Sequence, residues 1–104
     1  MRDDSVLKRE IPDLLRVNRI EILRIARKHG VDRIQVFGSV ARGDASPESD
    51  VDFLIEVTGP TPPWFPGGLV ADLEALLGRR VDVVDADSLR EDIRDRVCQE
   101  AVLL

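Results

Sequence analysis

A chain of 104 residues, 43% hydrophobic and 34% charged, has material for one modest core and none for a second, so one domain spanning residues 1–104 is expected. Its formal charge of -5 is spread along the chain and leaves no broad basic face for duplex phosphates, which disfavours direct nucleic-acid binding. No apolar run approaches the roughly 20 residues of a bilayer span, and "MRDDSVLKRE" lacks the apolar stretch of a signal peptide, so a cytoplasmic protein is expected. A single cysteine, Cys98, cannot close an internal disulfide and has no second thiol for a metal site.

In chain order, Val6 to Glu10 fits either a short helix or a frayed arm. Pro12 suits a first helical position, and Leu15, Ile22, Leu23 and Ala26 then recur at about 3.6-residue spacing up to Gly30, which predicts a helix from Pro12 to His29. "VDRIQVFG" alternates Ile34 and Val36 against Arg33 and Gln35 and reads as the first strand. Ser39 to Arg42 predicts one helical turn, and Gly43, Asp44, Ser46 and Pro47 a loop. The second strand is expected from Asp50 to Val57, with Val51, Phe53, Ile55 and Val57 on one face and Asp50, Asp52, Leu54 and Glu56 on the other. "TGPTPPWFPGG" is a loop presenting Trp64 and Phe65. Leu69 to Leu77, closed by Gly78, predicts an amphipathic helix, and "RVDVVD" the third strand. Ser88 and Glu91 form a capping-box pattern ahead of a C-terminal helix with Leu89, Ile93, Val97 and Ala101 on one stripe.

This order argues for an α/β (α+β) domain, a small mixed sheet with helices packed mainly on one face. The long helical crossover between strands two and three predicts a parallel pair, and the shorter loop between strands one and two admits an antiparallel one. Ser39, Asp50, Asp52 and Asp82 would then meet at one edge.

Two carboxylates at i and i+2 on a strand can share a hard cation, and Asp82 on a neighbouring strand would supply a third. Such a set needs a counter-ion, for which magnesium is the natural choice, and two such ions are the usual apparatus for displacement at phosphorus. Gly38 lets the backbone approach a ligand, and Ser39 opens a helical turn where an anion is favoured. A triphosphate would satisfy both halves, with Arg42 neutralising the departing pyrophosphate. Other phosphate or cation motifs fail. In "GSVARGD" Asp44 replaces the lysine of a Walker loop, and Ile55 occupies a position that either EF-hand register reserves for Gly or Glu.

With these residues in place, the sequence resembles the minimal nucleotidyltransferases, the smallest members of the DNA polymerase beta-like superfamily. Gly38-Ser39, ten residues, Asp50-x-Asp52 and a later Asp82 in "GRRVDVVD" match that signature, and the likeness runs from about Val17 to Leu104. It implies the polymerase beta-like nucleotidyltransferase fold and Mg2+-dependent transfer of AMP from ATP to an acceptor hydroxyl. By the same likeness Asp50 and Asp52 bind both metals, Asp82 binds one and orients or deprotonates the acceptor, and Ser39 holds the triphosphate. The resemblance further implies an antitoxin of a HEPN/MNT pair, partnered by a HEPN-domain toxin and able to assemble as a homo- or hetero-oligomer. Larger relatives carry an acceptor-binding domain for which 104 residues leave no room. A non-catalytic module that masks its partner is therefore the second expectation, and transfer to a small molecule a weaker third. Trp64 and Phe65 are candidates for stacking on the base or meeting a partner, or for packing over the core edge, and His29 is expected to be structural.

Overall fold

The computed structural model describes residues 13–43 and 49–104. The expectations for Val6 to Glu10, Pro12, Asp44, Ser46 and Pro47 lie outside the described residues.

The stretch predicted as one helix forms two, α1 (Asp13–Val17) and α2 (Arg19–Lys28). Asn18 makes the break: its side-chain Nδ2 folds back to donate to the Leu14 carbonyl at 2.8 Å, the local bonding by which asparagine competes with a helix. Helical bonding resumes at once, since Ile22 N donates to the Asn18 carbonyl. Strand β1 (Arg33–Phe37) leads directly into α3 (Gly38–Arg42), which Gly43 closes in the left-handed region at φ 84°. Strand β2 (Val51–Glu56), helix α4 (Gly67–Leu77) and strand β3 (Val81–Asp85) follow. Helix α4 begins two residues before the predicted Leu69 because Gly68 can pass close over His29. A Cβ on Gly68 would lie 3.0 Å from the imidazole Cε1.

Two further differences fall near the C-terminus. The capping box does not form: Ser88 belongs to a 3-10 turn (Ala86–Ser88) and donates its hydroxyl to the Asp85 carbonyl, while helix α5 (Glu91–Glu100) starts at Arg90 without a side-chain cap. Ala101 does not extend the helical stripe. The chain turns extended there, and β4 (Val102–Leu103) pairs with β1, whose edge groups would otherwise lack partners.

The sheet order is β3-β2-β1-β4, with β1 antiparallel to both β2 and β4, and β2 parallel to β3 as the α4 crossover requires. Ile34, Val36, Val51, Phe53 and Ile55 point to one face, where Leu15, Ile22, Leu69 and Leu73 from the helices cover them. Each such fully buried side chain contributes roughly 1.5–3 kcal/mol. This is a mixed four-stranded sheet with helices mainly on one face. The other residues of β2, Asp52, Leu54 and Glu56, alternate to the opposite face, where the 3-10 turn packs on β2 and α5 packs on β1 and α3. No helix among the described residues is long and apolar enough to cross a membrane.

Candidate active site

The site is assembled by strand register. Asp52 is the Cα partner of Phe37 across the antiparallel β1-β2 pair and of Asp82 across the parallel β2-β3 pair. Register partners on adjacent strands project from the same face, with strands about 4.8 Å apart, so the Asp52 and Asp82 carboxylates are neighbours. One residue past Phe37, Gly38 turns the chain into α3 at φ 78°, and a Cβ there would fall 2.4 Å from Asp52 Oδ2. The Gly38 backbone is therefore pressed against the Asp52 carboxylate, and glycine is required twice over, for its dihedral and for its lack of a side chain. Ser39 follows in the first turn of α3, half-buried beside this contact.

Asp50 enters just ahead of β2, and its placement depends on two arginines that precede β3. Val51 N donates to the Arg80 carbonyl at 2.9 Å, the Arg80 guanidinium lies 3.4 Å from Asp50 Oδ1, and Arg79 donates to the Ser49 carbonyl. Residues 49–51 are thus tied to residues 79–80 on main chain and side chain alike. On the outer side of β3, Val81 N donates to the Glu74 carboxylate at 3.0 Å. Arg42, at the end of α3, faces Asp52 and pairs with Glu100 at 3.3 Å.

The electrostatics follow from this crowding. Burial pushes the Asp52 carboxyl above the usual carboxylate range, and repulsion from Asp82 and then Asp50 adds to the rise, while Arg42 partly offsets it. A carboxylate held in this way gains from an added cation. The donor set is all oxygen, which suits a hard divalent ion such as magnesium. Among the described residues no three acidic, histidine or cysteine side chains converge as a ready-made metal cluster; Asp50 is directed toward Arg80 instead of toward Asp52. The arrangement fits a cation in donor type and strand placement, and the exposed ion pair of Asp50 with Arg80 adds little to oppose it.

Residues 19–103 match the family of the nucleotidyltransferase domain. Protein adenylyltransferase MntA of Thermococcus cleftensis is 39% identical over 93 residues, which are 89% of this chain and 91% of that protein. A solved structure described as a minimal nucleotidyltransferase superposes with a TM-score of 0.80 at 40% identity, covering 89% of this chain and 97% of the other. This chain belongs to the minimal nucleotidyltransferases. The fold is also shared, at 20% identity and a TM-score of 0.63 over 85% of this chain and 69% of the other, with a tri-AMPylated HEPN toxin complex with MNT antitoxin from Shewanella oneidensis.

Not every predicted residue joins the nucleotidyltransferase site. Trp64 does not: its loop follows the C-terminal end of β2, and the Pro60 carbonyl of that loop packs on Gly30, ahead of β1. That is the end of the sheet remote from Gly38 and from the start of β2. Trp64 is 84% exposed there, whereas Phe65 beside it packs against the core. His29 is structural as expected, buried between α2 and α4 with Nε2 2.8 Å from Asp72 Oδ2. The sequence reading missed Arg79 and Arg80. The signal was present, since two consecutive arginines enter a strand whose second residue is the site acid Asp82, and cations placed next to an acid pair have an electrostatic task.

Proposed function

We propose that this chain moves AMP from ATP to a hydroxyl on a partner protein, a HEPN-domain toxin, and so acts as the antitoxin of the pair. The observation that carries the reading is the register pairing of Asp52 with Asp82 beneath the Gly38 backbone. Asp50, Asp52 and Asp82 would hold Mg2+, which when bound supplies charge neutralisation at the α-phosphate. The Gly38-Ser39 main chain binds the outer phosphates and Arg42 offsets the charge of the pyrophosphate as it leaves. Asp82, the more exposed of the paired acids, orients the acceptor hydroxyl and takes its proton. The acceptor oxygen forms a bond to the α-phosphorus, the bond from that phosphorus to the pyrophosphate oxygen breaks, and pyrophosphate carries away the electron pair.

Incubating the purified chain with α-labelled ATP, Mg2+ and the toxin should label the toxin. Absence of label, or label that persists with Asp52→Asn, would refute the reading. A second reading, masking of the partner without chemistry, is favoured by one observation: the largest exposed side chain, Trp64, is displayed far from the acids. Under masking, Asp50→Asn and Asp82→Asn leave neutralisation intact and Trp64→Ala weakens it. Loss of neutralisation in the acid variants with the complex still formed excludes masking.

A further inference from the structure

We infer that the groove between α2 and the β4 edge is a docking surface for an acidic, aliphatic-bearing segment of the partner protein. The proposal rests on the reading above only in taking a partner protein to exist; it does not need AMP transfer. The groove encloses about 250 Å³, with Leu23, Ala26 and Ile34 as an aliphatic floor and Arg19, Arg27 and Arg33 around it. Arg19, Leu23 and Arg27 recur at four-residue spacing, so they share one stripe of α2. Ile20, three residues before Leu23, flanks that stripe at the groove's margin at 61% exposure, and Leu103 at the opposite wall is 59% exposed. The groove's one acidic side chain, Asp32, is engaged, accepting from Thr58 N and Oγ1 at 2.7 Å each, while Arg19 donates to the Leu104 main-chain oxygen at 2.5 Å and Arg33 lies 4.0 Å from Glu56 at the exposed rim.

Charge decides the occupant. Residues 13–33 carry six Lys and Arg against three Asp and Glu, whereas residues 34–104 carry six against fourteen. A local basic excess on an acidic protein, set around aliphatic side chains, matches a segment that offers carboxylates together with apolar side chains. RNA fits less well, because no aromatic ring lines the groove for base stacking and the chain as a whole repels phosphates. A two-fold dimer through this face would set arginine against arginine. Arginine is also among the residues enriched in interface hot spots.

The test compares wild type, Arg27→Glu, Ile20→Asp and Asp52→Asn by calorimetric titration with the purified HEPN toxin, with thermal melts to verify folding. The expected result is that Arg27→Glu and Ile20→Asp bind about tenfold or more weakly, that added salt weakens the wild type, and that Asp52→Asn binds as wild type. Wild-type affinity in both groove variants overturns the proposal, as does a wild type that fails to bind the toxin. Sedimentation showing a wild-type dimer that Arg27→Glu abolishes overturns it in favour of a second copy. Binding of a labelled single-stranded RNA that Arg27→Glu abolishes overturns it in favour of nucleic acid. Toxin binding lost in the groove variants, with no AMP transfer by the wild type, supports this surface while refuting the chemistry proposed above.

Discussion

The two edges of this sheet are built from opposite electrostatics. On the β2-β3 side, Asp52 and Asp82 are register partners, and Asp52 is held above its ordinary range by burial first and then by repulsion from Asp82 and Asp50. On the β1-β4 side, arginines gather round an aliphatic groove. Acids crowded against one another and half-buried reduce stability and persist where a cation is to be bound, whereas exposed arginines cost the fold little. On the proposals made above the first edge serves chemistry and the second contact, and substitutions at each should separate stability from function in different ways.

The largest effect is expected at Asp52. Asp52→Asn should lower AMP transfer by about a thousandfold or more, yet raise the melting temperature at neutral pH by a few degrees. The sign follows from linkage. A folded-state value above the ordinary one means that Asp52 favours the fold while protonated, and that this contribution is lost as pH rises through the folded value. The stability gain of Asp52→Asn should therefore shrink as pH falls through the raised folded value and be gone below the ordinary value of 3.8. A variant less stable than wild type at pH 7 would show that Asp52 is anchored by favourable contacts and not strained by its neighbours.

Next in size is Gly38→Ala. It places a methyl 2.4 Å from Asp52 Oδ2 at φ 78°, whereas Gly43→Ala at φ 84° meets open space. Both lose about 1 kcal/mol to the left-handed backbone, so the difference between their denaturant midpoints isolates the contact with the carboxylate. Gly38→Ala should lose about 1–3 kcal/mol beyond the Gly43→Ala loss and most of the transfer activity. Equal losses would mean that the Gly38-Asp52 approach is relaxed at little cost.

Much of this architecture was legible because two-residue alternation survives burial: Val51, Phe53 and Ile55 turned inward and Asp52 outward as their spacing required. The opposition of Asp52 and Asp82 was only inferable, since register across a helical crossover is set by how α4 packs and by no local pattern. Asn18 shows the converse. Its break in the first helix depends on one side-chain bond to Leu14 that helical periodicity ignores. Strand β4 was hidden because its partner, the edge of β1, lies far away in sequence. The position of Trp64 was not legible for a related reason: composition announces an exposed aromatic loop, but only the direction of β2 says at which end of the sheet it emerges.

A smaller effect is expected at Arg80, whose guanidinium is 81% exposed and faces Asp50. An exposed ion pair contributes at most about 1 kcal/mol and is screened by salt. Arg80 nevertheless competes with any cation for the same carboxylate. Arg80→Ala should therefore raise Mn2+ affinity about two- to fivefold at low ionic strength, read by electron paramagnetic resonance titration without nucleotide, and the gain should vanish at about 0.5 M salt. Arg79→Ala should move affinity the other way, because Arg79 holds the Ser49 carbonyl that sets the position of Asp50. If both variants weakened Mn2+ alike, Arg80 would be a positioning residue and not a competitor.

The smallest effect concerns neither edge and calibrates both. Asp72 accepts from His29 Nε2 at 2.8 Å and lies 3.4 Å from Lys28 Nζ, and these partners hold its carboxyl below the ordinary range. A depressed value contributes stability that is present above the ordinary 3.8 and is lost as pH falls through the folded value. Asp72→Asn should thus be less stable than wild type at pH 7 and converge with it in acid, the mirror image of Asp52→Asn. The comparison is best made between pH 7 and the acid range below 4. Thermal melts of the two variants should approach wild type from opposite sides as pH falls. If both shifted in the same direction, the contrast between a carboxylate strained by its neighbours and one satisfied by them would fail, and with it the argument that the Asp52 edge is organised to receive a cation.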